Sequence, residues 1–392
     1  MSSIKINLLL FSIVSICSCS GNSKQSTVEN RDGQKLYTMQ VMPYKTFAMD
    51  DNTSQTSAYF QLFTIDDTLR FTMYSNTAVR KNILIFDLST GKVVDSVRLH
   101  KEGPNAIYNN VVAYYIRNMD SIYMYDYWQH TFILVNRKGE IVNRINLSEK
   151  FLAENSPEVT PSSPYPCMDM PIHRINNTFI LQGMTQKVTD MKKVPTVTAL
   201  CNLSDTAVSV RFVNSYPDIY GNIKNLFKHW GVFSYLMVSY DLNNKGEMVL
   251  SYHADDHISV YDIDSNTTRR YFAGYSKKDV ISQMNDDRIS DLLQTMECTQ
   301  YANIHFDTYL NLYYRFVYHP FYDYDINDRD TQVQNLSIVI LDSEFNKVGE
   351  YDLKEKTILG RGAFVTKEGL HIQTLSDDDD FMKFIVLKPI KL

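Results

Sequence analysis

The feature that most constrains this 392-residue chain is a degenerate unit that recurs along it: an apolar strand ending in Asp or Asn, a short turn, then an alternating strand. It appears as Ile83-Leu84-Ile85-Phe86-Asp87, the turn Ser89-Thr90-Gly91-Lys92, and an outer strand from Val93 to Leu99. It returns as Phe132-Ile133-Leu134-Val135-Asn136, Arg137-Lys138-Gly139-Glu140, and Ile141 to Leu147. Weaker copies open their turns at Asn202, Asp262 and Asp342, with outer strands over 208–213, 268–273 and 348–353. The step from Asp87 to Asn136 is 49 residues, close to the period of a four-stranded propeller blade. Later steps of 66, 60 and 80 residues require insertions. One is the Pro-rich stretch from Ser148 to Pro171, read as a loop without regular structure. The other is Lys277–Thr299, where Ile281, Met284, Ile289 and Leu292 fall on one face of a helix.

Each unit also has an earlier strand pair, such as 113–117 with 121–125 and 247–252 with 257–263. Strands such as Ile83–Phe86 and Ile338–Leu341 are apolar on both faces, as expected where a sheet is sandwiched between neighbours. The last unit has strands near 363–366, 370–375 and 381–387 but no outer strand, whereas Leu36–Met42 alternates without a partner of its own. Pairing the two closes a ring and hides both sheet edges. The reading is therefore all-β: residues 36–392 form a single six-bladed β-propeller, closed by the N-terminal strand and carrying one inserted helix. Five or seven blades, and a tandem of β-sandwiches, are the alternatives. The 27 Tyr and 20 Phe residues suit the half-buried surfaces of strands.

The amino terminus is of a different kind. Lys5 precedes the apolar run Leu8–Ile16, which has signal-peptide length and is too short for a permanent span. Ile16-Cys17-Ser18-Cys19 resembles a lipobox, so residues 1–18 read as a lipoprotein signal peptide and Cys19 as the residue that receives diacylglycerol. Cys17 fits less well, because Ile16 stands where the peptidase needs a small side chain. An ordinary secretory signal cut near Ser18 or Ser20 is the alternative. Residues 19–35 are polar and poor in large apolar side chains, which makes them a flexible tether. Ser20, standing where Asp would mark inner-membrane retention, points to the outer membrane and leaves both of its faces open.

The domain has the balance of an ordinary globular protein, with 44% hydrophobic and 21% charged residues, and its net charge of −6 argues against nucleic-acid binding. Cys167, Cys201 and Cys298 permit at most one disulfide and lack zinc-site spacing. Phosphate-loop, nucleophile-elbow and His-Glu-x-x-His patterns are missing, so no cofactor is called for. His253-Ala254-Asp255-Asp256-His257 reads as a solvated hairpin turn rather than a metal site. Asp323–Asp330 has alternate-oxygen spacing, but Asp328 and Gln334 depart from the EF-hand pattern, which leaves an acidic surface loop. Asp377–Asp380 reads as a solvated turn.

The lipobox, the Asp/Asn-turn units, Glu102-Gly103-Pro104-Asn105 and Tyr313-Tyr314-Arg315-Phe316 together resemble a family of Bacteroidetes lipoproteins, domain of unknown function family 4221, within the TolB-like six-bladed propellers. The resemblance implies fold and envelope location and carries over no catalytic residue. Candidate ligand-binding residues are the polar and aromatic side chains of strands read as lining a central channel: Arg117, Tyr240, Tyr313 and Arg315. His319 and Tyr165 of the Pro-rich stretch are placed near one rim. Alternation over 311–317 puts Tyr313 and Arg315 on one face, from which Arg315 can offer a fork to a carboxylate. Its structural alternative is a clamp to an Asp of the next unit. The function that follows is a monomeric binding or scaffolding module, membrane-attached through its lipid, for an envelope protein or glycan. The rival is an envelope polysaccharide lyase or glycosidase, which fold alone does not separate from it.

Overall fold

A computed structural model describes residues 26–28, 35–50, 53, 59–77, 81–107, 111–153, 159–160, 162–184, 194–203, 207–220, 236–277, 299–320, 335–353, 358–376 and 378–392. The expected signal peptide, Cys19, Cys298, the body of the expected helix at 277–299, and the expected acidic loop at Asp323–Asp330 lie outside these residues. Two strands, β1 (Ser26–Val28) and β2 (Tyr37–Ala48), precede the first sheet. That sheet is β3 (Tyr59–Ile65), β4 (Thr68–Asn76), β5 (Lys81–Asp87) and β6 (Val93–Leu99), and the second is β7 (Val111–Asn118), β8 (Ser121–Asp126), β9 (Thr131–Val135) and β10 (Ile141–Asn146). After a short helix α1 (Ser148–Ala153) and the small strands β11 (Val159–Thr160) and β12 (Ser163–Pro164) comes the third, β13 (His173–Ile175), β14 (Thr178–Met184), β15 (Val194–Leu203) and β16 (Val208–Ser215). The fourth is β17 (Val238–Leu242), β18 (Met248–Tyr252), β19 (His257–Asp262) and β20 (Thr267–Phe272). An eight-stranded sheet follows, built from β21 (Gln300–Asp307), β22 (Leu312–Tyr318), β23 (Leu336–Leu341), β24 (Lys347–Leu353), β25 (Ile358–Thr366), β26 (Gly369–Thr374), β27 (Phe381–Lys391) and β2.

The arrangement is propeller-like. First strands of neighbouring sheets touch one another, β25 with β3, β3 with β7 and β17 with β21, and the two end strands of the eight-stranded sheet, β21 and β25, also touch, so these strands ring a common axis. Strands β5, β18, β23 and β26 are buried along almost their whole length because each has a sheet on either face, whereas β6 and β10 on the periphery alternate with exposed positions. The expected partner of the last unit is present: β2 runs antiparallel to β27 from Tyr37↔Lys391 to Ala48↔Phe381. The eight-stranded sheet is continuous only because β2 also meets β24 through the single parallel pair Tyr37↔Gly349.

The turn-opening residues explain the repeat. Asp87, Asn136, Asp262 and Asp342 each accept backbone N–H groups two to four residues ahead, as at Ser89 and Thr90 (3.1 and 2.9 Å) or Glu344 and Asn346 (2.9 and 2.8 Å). Asn202 departs from the expectation, lying inside β15 opposite Thr178 and Ser209. Gly91 and Gly139 sit at φ +67 and +76 and press against the outer strand of the preceding sheet. A Cβ there would stand 2.1 Å from Thr46 O and 2.0 Å from Arg98 O.

Three other expectations are corrected. The Pro-rich stretch does contain regular structure, since α1 forms ahead of its first proline and buries Phe151. The segment read as a tether contributes β1, which pairs in parallel with β20. The 253–257 turn is packed rather than solvated: His253, Ala254 and Asp255 are buried, Asp255 pairs with Arg270, and Asp256 and His257 are partly covered. Asp378–Asp380 is exposed as expected, and Cys201 is a buried free thiol.

Candidate functional site

The residues expected to line an open channel have other duties. Tyr313 and Arg315 lie on β22, a second strand with a sheet on each side, so both faces are covered and neither side chain reaches the axis. Arg315 is 0% exposed. Its guanidinium donates to Ser251 Oγ (2.9 Å), Ala273 O (3.2 Å), Tyr252 O (3.4 Å) and Asp255 O (2.6 Å), and it lies 4.0 Å from the Tyr301 ring centroid. Burial lowers its pKa to about 10, partly offset by Tyr301 and by the Asp255 and Asp256 carboxylates, so it stays charged at neutral pH. Arg315 is buried and bonded as a structural residue, but not through the expected clamp to an Asp of the next unit: its partners are main-chain carbonyls and a Ser hydroxyl of the preceding sheet. Tyr313 packs 4.8 Å from Phe306 and 5.0 Å from Phe345. His319 is buried beside Ser337 (Nε2 to Oγ 2.7 Å). Tyr240 does lie on a first strand, but its hydroxyl is taken by Pro171 O (2.7 Å) and Ile180 O (3.1 Å). Arg117 is exposed at the end of β7 that turns into β8.

The axis is occupied by the chain itself. Cys167 and Met170 exchange two main-chain hydrogen bonds in a tight turn. The segment that follows is held from several first strands. Ile172 N–H donates to Tyr59 Oη (3.0 Å), and Gln61 Nε2 donates to Ile172 O (3.4 Å). Asp169 accepts Asn303 Nδ2 (2.8 Å), while Ser239 Oγ donates to Asp169 O (2.8 Å). Since β3, β17 and β21 all reach it, this segment lies inside their ring as a plug.

Three titratable groups from adjacent first strands gather beside the plug. His173 Nε2 stands 3.4 Å from Asp241 Oδ1, and His305 lies on the next first strand. Burial pushes the Asp241 carboxyl up to about 7 and both imidazoles down to about 4, with His173 further depressing His305. Asp241 also accepts Phe306 N–H (2.8 Å), so the group fixes the register between two sheets. At neutral pH the imidazoles are uncharged, and His173 Nε2 and His305 Nε2 are buried without a hydrogen-bond partner among the described residues.

An accessible aromatic element stands elsewhere. Connections from second to third strands, and from fourth strands to the next first strand, emerge at one end of the sheets, and the long 147–172, 216–237, 273–299 and 319–335 connections are all of this kind. On that end the β8–β9 turn presents Trp128, 73% exposed. Asp126 Oδ1 accepts Gln129 N–H (3.0 Å), His130 takes φ +45, and Gln129 O accepts the hydroxyls of Thr131 (3.0 Å) and Ser148 (2.9 Å). Behind it Tyr127 lies 5.2 Å from the Trp128 ring and meets the Tyr165 ring edge-on at 4.8 Å. The expected rim position of Tyr165 thus acquires a neighbour, Trp128, that strand-by-strand reading passes over. An aromatic pair between two strands, after a turn-opening Asp, was its sequence signal.

No curated protein matches the chain in sequence. Among solved structures, a family member from Bacteroides vulgatus ATCC 8482 has 20% identity and a TM-score of 0.75, covering 92% of this chain and 100% of its own. A protein described as exported, from Bacteroides fragilis NCTC 9343, has 10% identity and a TM-score of 0.50, covering 93% of this chain and 99% of its own. The first relative's family is also the one whose model matches residues 38–352, so the chain belongs to the family described as domain of unknown function DUF4221.

Proposed function

We propose that this protein is a lipid-anchored envelope lipoprotein whose propeller binds a glycan at the Trp128 platform. The observation that carries the reading is an exposed indole on a turn braced at both ends, so that little conformational entropy is lost when a ligand stacks on it. One exposed ring with two half-covered tyrosines offers far less than the ~800 Å² per partner of a standard protein interface, and it matches the apolar C–H face of a single sugar ring. The filled axis supports binding over polysaccharide cleavage, because the plug stands where a central substrate chamber would be. The blade count in this reading is six: the eight-stranded sheet divides at the lone Tyr37↔Gly349 pair into two four-stranded antiparallel blades. The domain works as a monomer at the outer membrane.

Anchor and binding are tested separately. Cys19→Ala should abolish incorporation of a fatty-acid analogue during metabolic labelling while leaving thermal unfolding unchanged, since Cys19 lies well before the first sheet. Label persisting in that variant refutes the anchor. For the platform, titration with envelope oligosaccharides should perturb Trp128 fluorescence in a chain carrying Trp230→Phe, and calorimetric binding of the same oligosaccharides should be lost in Trp128→Ala.

A further inference from the structure

A cleft of about 540 Å³ lies on the flank of the molecule, between β24, the start of β2 and the chain leaving β20. Its acids are already satisfied. Glu350 accepts Ser276 N–H (2.8 Å), the Ser276 hydroxyl and Lys347 Nζ (3.0 Å). Asp352 accepts the hydroxyls of Tyr275 and Ser337 and, on its other oxygen, Lys277 Nζ (3.0 Å). Lys347 is likewise engaged, also donating to Gly274 O (3.1 Å). What the lining leaves uncommitted is of one chemical kind. Lys35 Nζ, the Thr38 hydroxyl and the Tyr351 hydroxyl make no internal hydrogen bond among the described residues, and Lys277, 75% exposed, keeps two of its three N–H donors.

The charge balance points the same way. Three lysines face two carboxylates, so one positive charge is left over in a wall rich in donors. We propose that this cleft binds a phosphate-bearing ligand, with Lys35 and Lys277 supplying charge and Thr38 and Tyr351 supplying hydroxyl donors to its oxygens. A phosphate group offers several acceptor oxygens and up to two negative charges, and ammonium groups bind it as point charges. The source is either a free phosphorylated molecule or the headgroup of an anionic lipid. This site is distinct from the Trp128 rim and does not depend on it.

The full chain carrying Cys19→Ala, which removes the anchor as a cause of membrane binding, is titrated with inorganic phosphate by calorimetry. It is also mixed with vesicles of phosphatidylcholine alone or with phosphatidylglycerol. Saturable phosphate binding that weakens at least fivefold in Lys35→Ala and in Lys277→Ala, and is retained in Lys35→Arg, supports the site with a free ligand. Preference for the phosphatidylglycerol vesicles, lost in the same variants, supports it with a lipid. If neither phosphate nor phosphatidylglycerol is bound, or if binding is the same in wild type, Lys35→Ala and Lys277→Ala, the proposal is overturned.

Discussion

Arg315→Ala should lower stability by about 3–5 kcal/mol, the range for removing one partner from a buried charged network. The loss has three parts. The carbonyls of Tyr252, Asp255 and Ala273 and the Ser251 hydroxyl lose donors in a dry interior. The Tyr301 ring loses the guanidinium stacked on it. The Asp255 and Asp256 carboxylates lose a compensating charge, although Asp255 keeps Arg270. Because every hydrogen-bond partner lies in the sheet of β17–β20 or its adjoining turns while Arg315 is on β22, the substitution loosens the joint between two sheets rather than one strand. At roughly 2 cal/mol/K of unfolding entropy per residue, a domain of this size should melt about 4–7 °C lower. Differential scanning calorimetry checks it: a shift under about 1 °C would mean that the buried guanidinium contributes nothing net. Arg315→Lys should recover only part of the loss, since one ammonium cannot reach four acceptors spread around a planar fork.

A chain beginning at Met49 should do worse, showing no cooperative unfolding near the wild-type midpoint. The truncation removes β2 and exposes the whole edge of β27, a strand with buried Met382, Phe384 and Ile385. It also removes Phe47, which is fully buried and stacked on Phe71 at 4.2 Å with Phe86 and Phe384 edge-on at 5.5 and 5.6 Å. Losing that ring alone is worth about 3–5 kcal/mol by the record of Phe→Ala changes in cores. The Gly91 turn of the first sheet would lose its seat too, as Ala48 N–H donates to Gly91 O (2.8 Å). Circular dichroism of the truncated chain against temperature decides it, and an unchanged cooperative transition would contradict closure through β2.

Much of this fold was legible because its signals are local. An Asp or Asn that folds back on its own turn leaves a mark every unit, and a strand sandwiched on both faces reads as an unbroken apolar run, as Ile83–Phe86 and Ile338–Leu341 do. The closing strand was readable as an alternating segment and a last unit that each lacked a partner. The site was less legible for a physical reason. Whether an Arg on a strand lines an axis or braces two sheets depends on the strand's rank in its sheet, and alternation within Asn311–Val317 carries no information about rank. The plug was hidden by its prolines, which argued for loop, while the alternation of Met168, Met170 and Ile172 along it signalled burial. Pairings such as Asn303 with Asp169 join residues over a hundred positions apart, beyond any local pattern.

The central claim is that recognition resides in the Trp128 platform, and equilibrium binding of protein-free envelope polysaccharide to wild type and to Trp128→Ala tests it most directly, with the melting temperature of both recorded. The account predicts at least tenfold weaker binding by the variant, about 1.4 kcal/mol, at an unchanged melting temperature, because the exposed indole contributes little to the core. Equal binding by the two proteins, or retention of envelope proteins but of no polysaccharide by wild type, would contradict it.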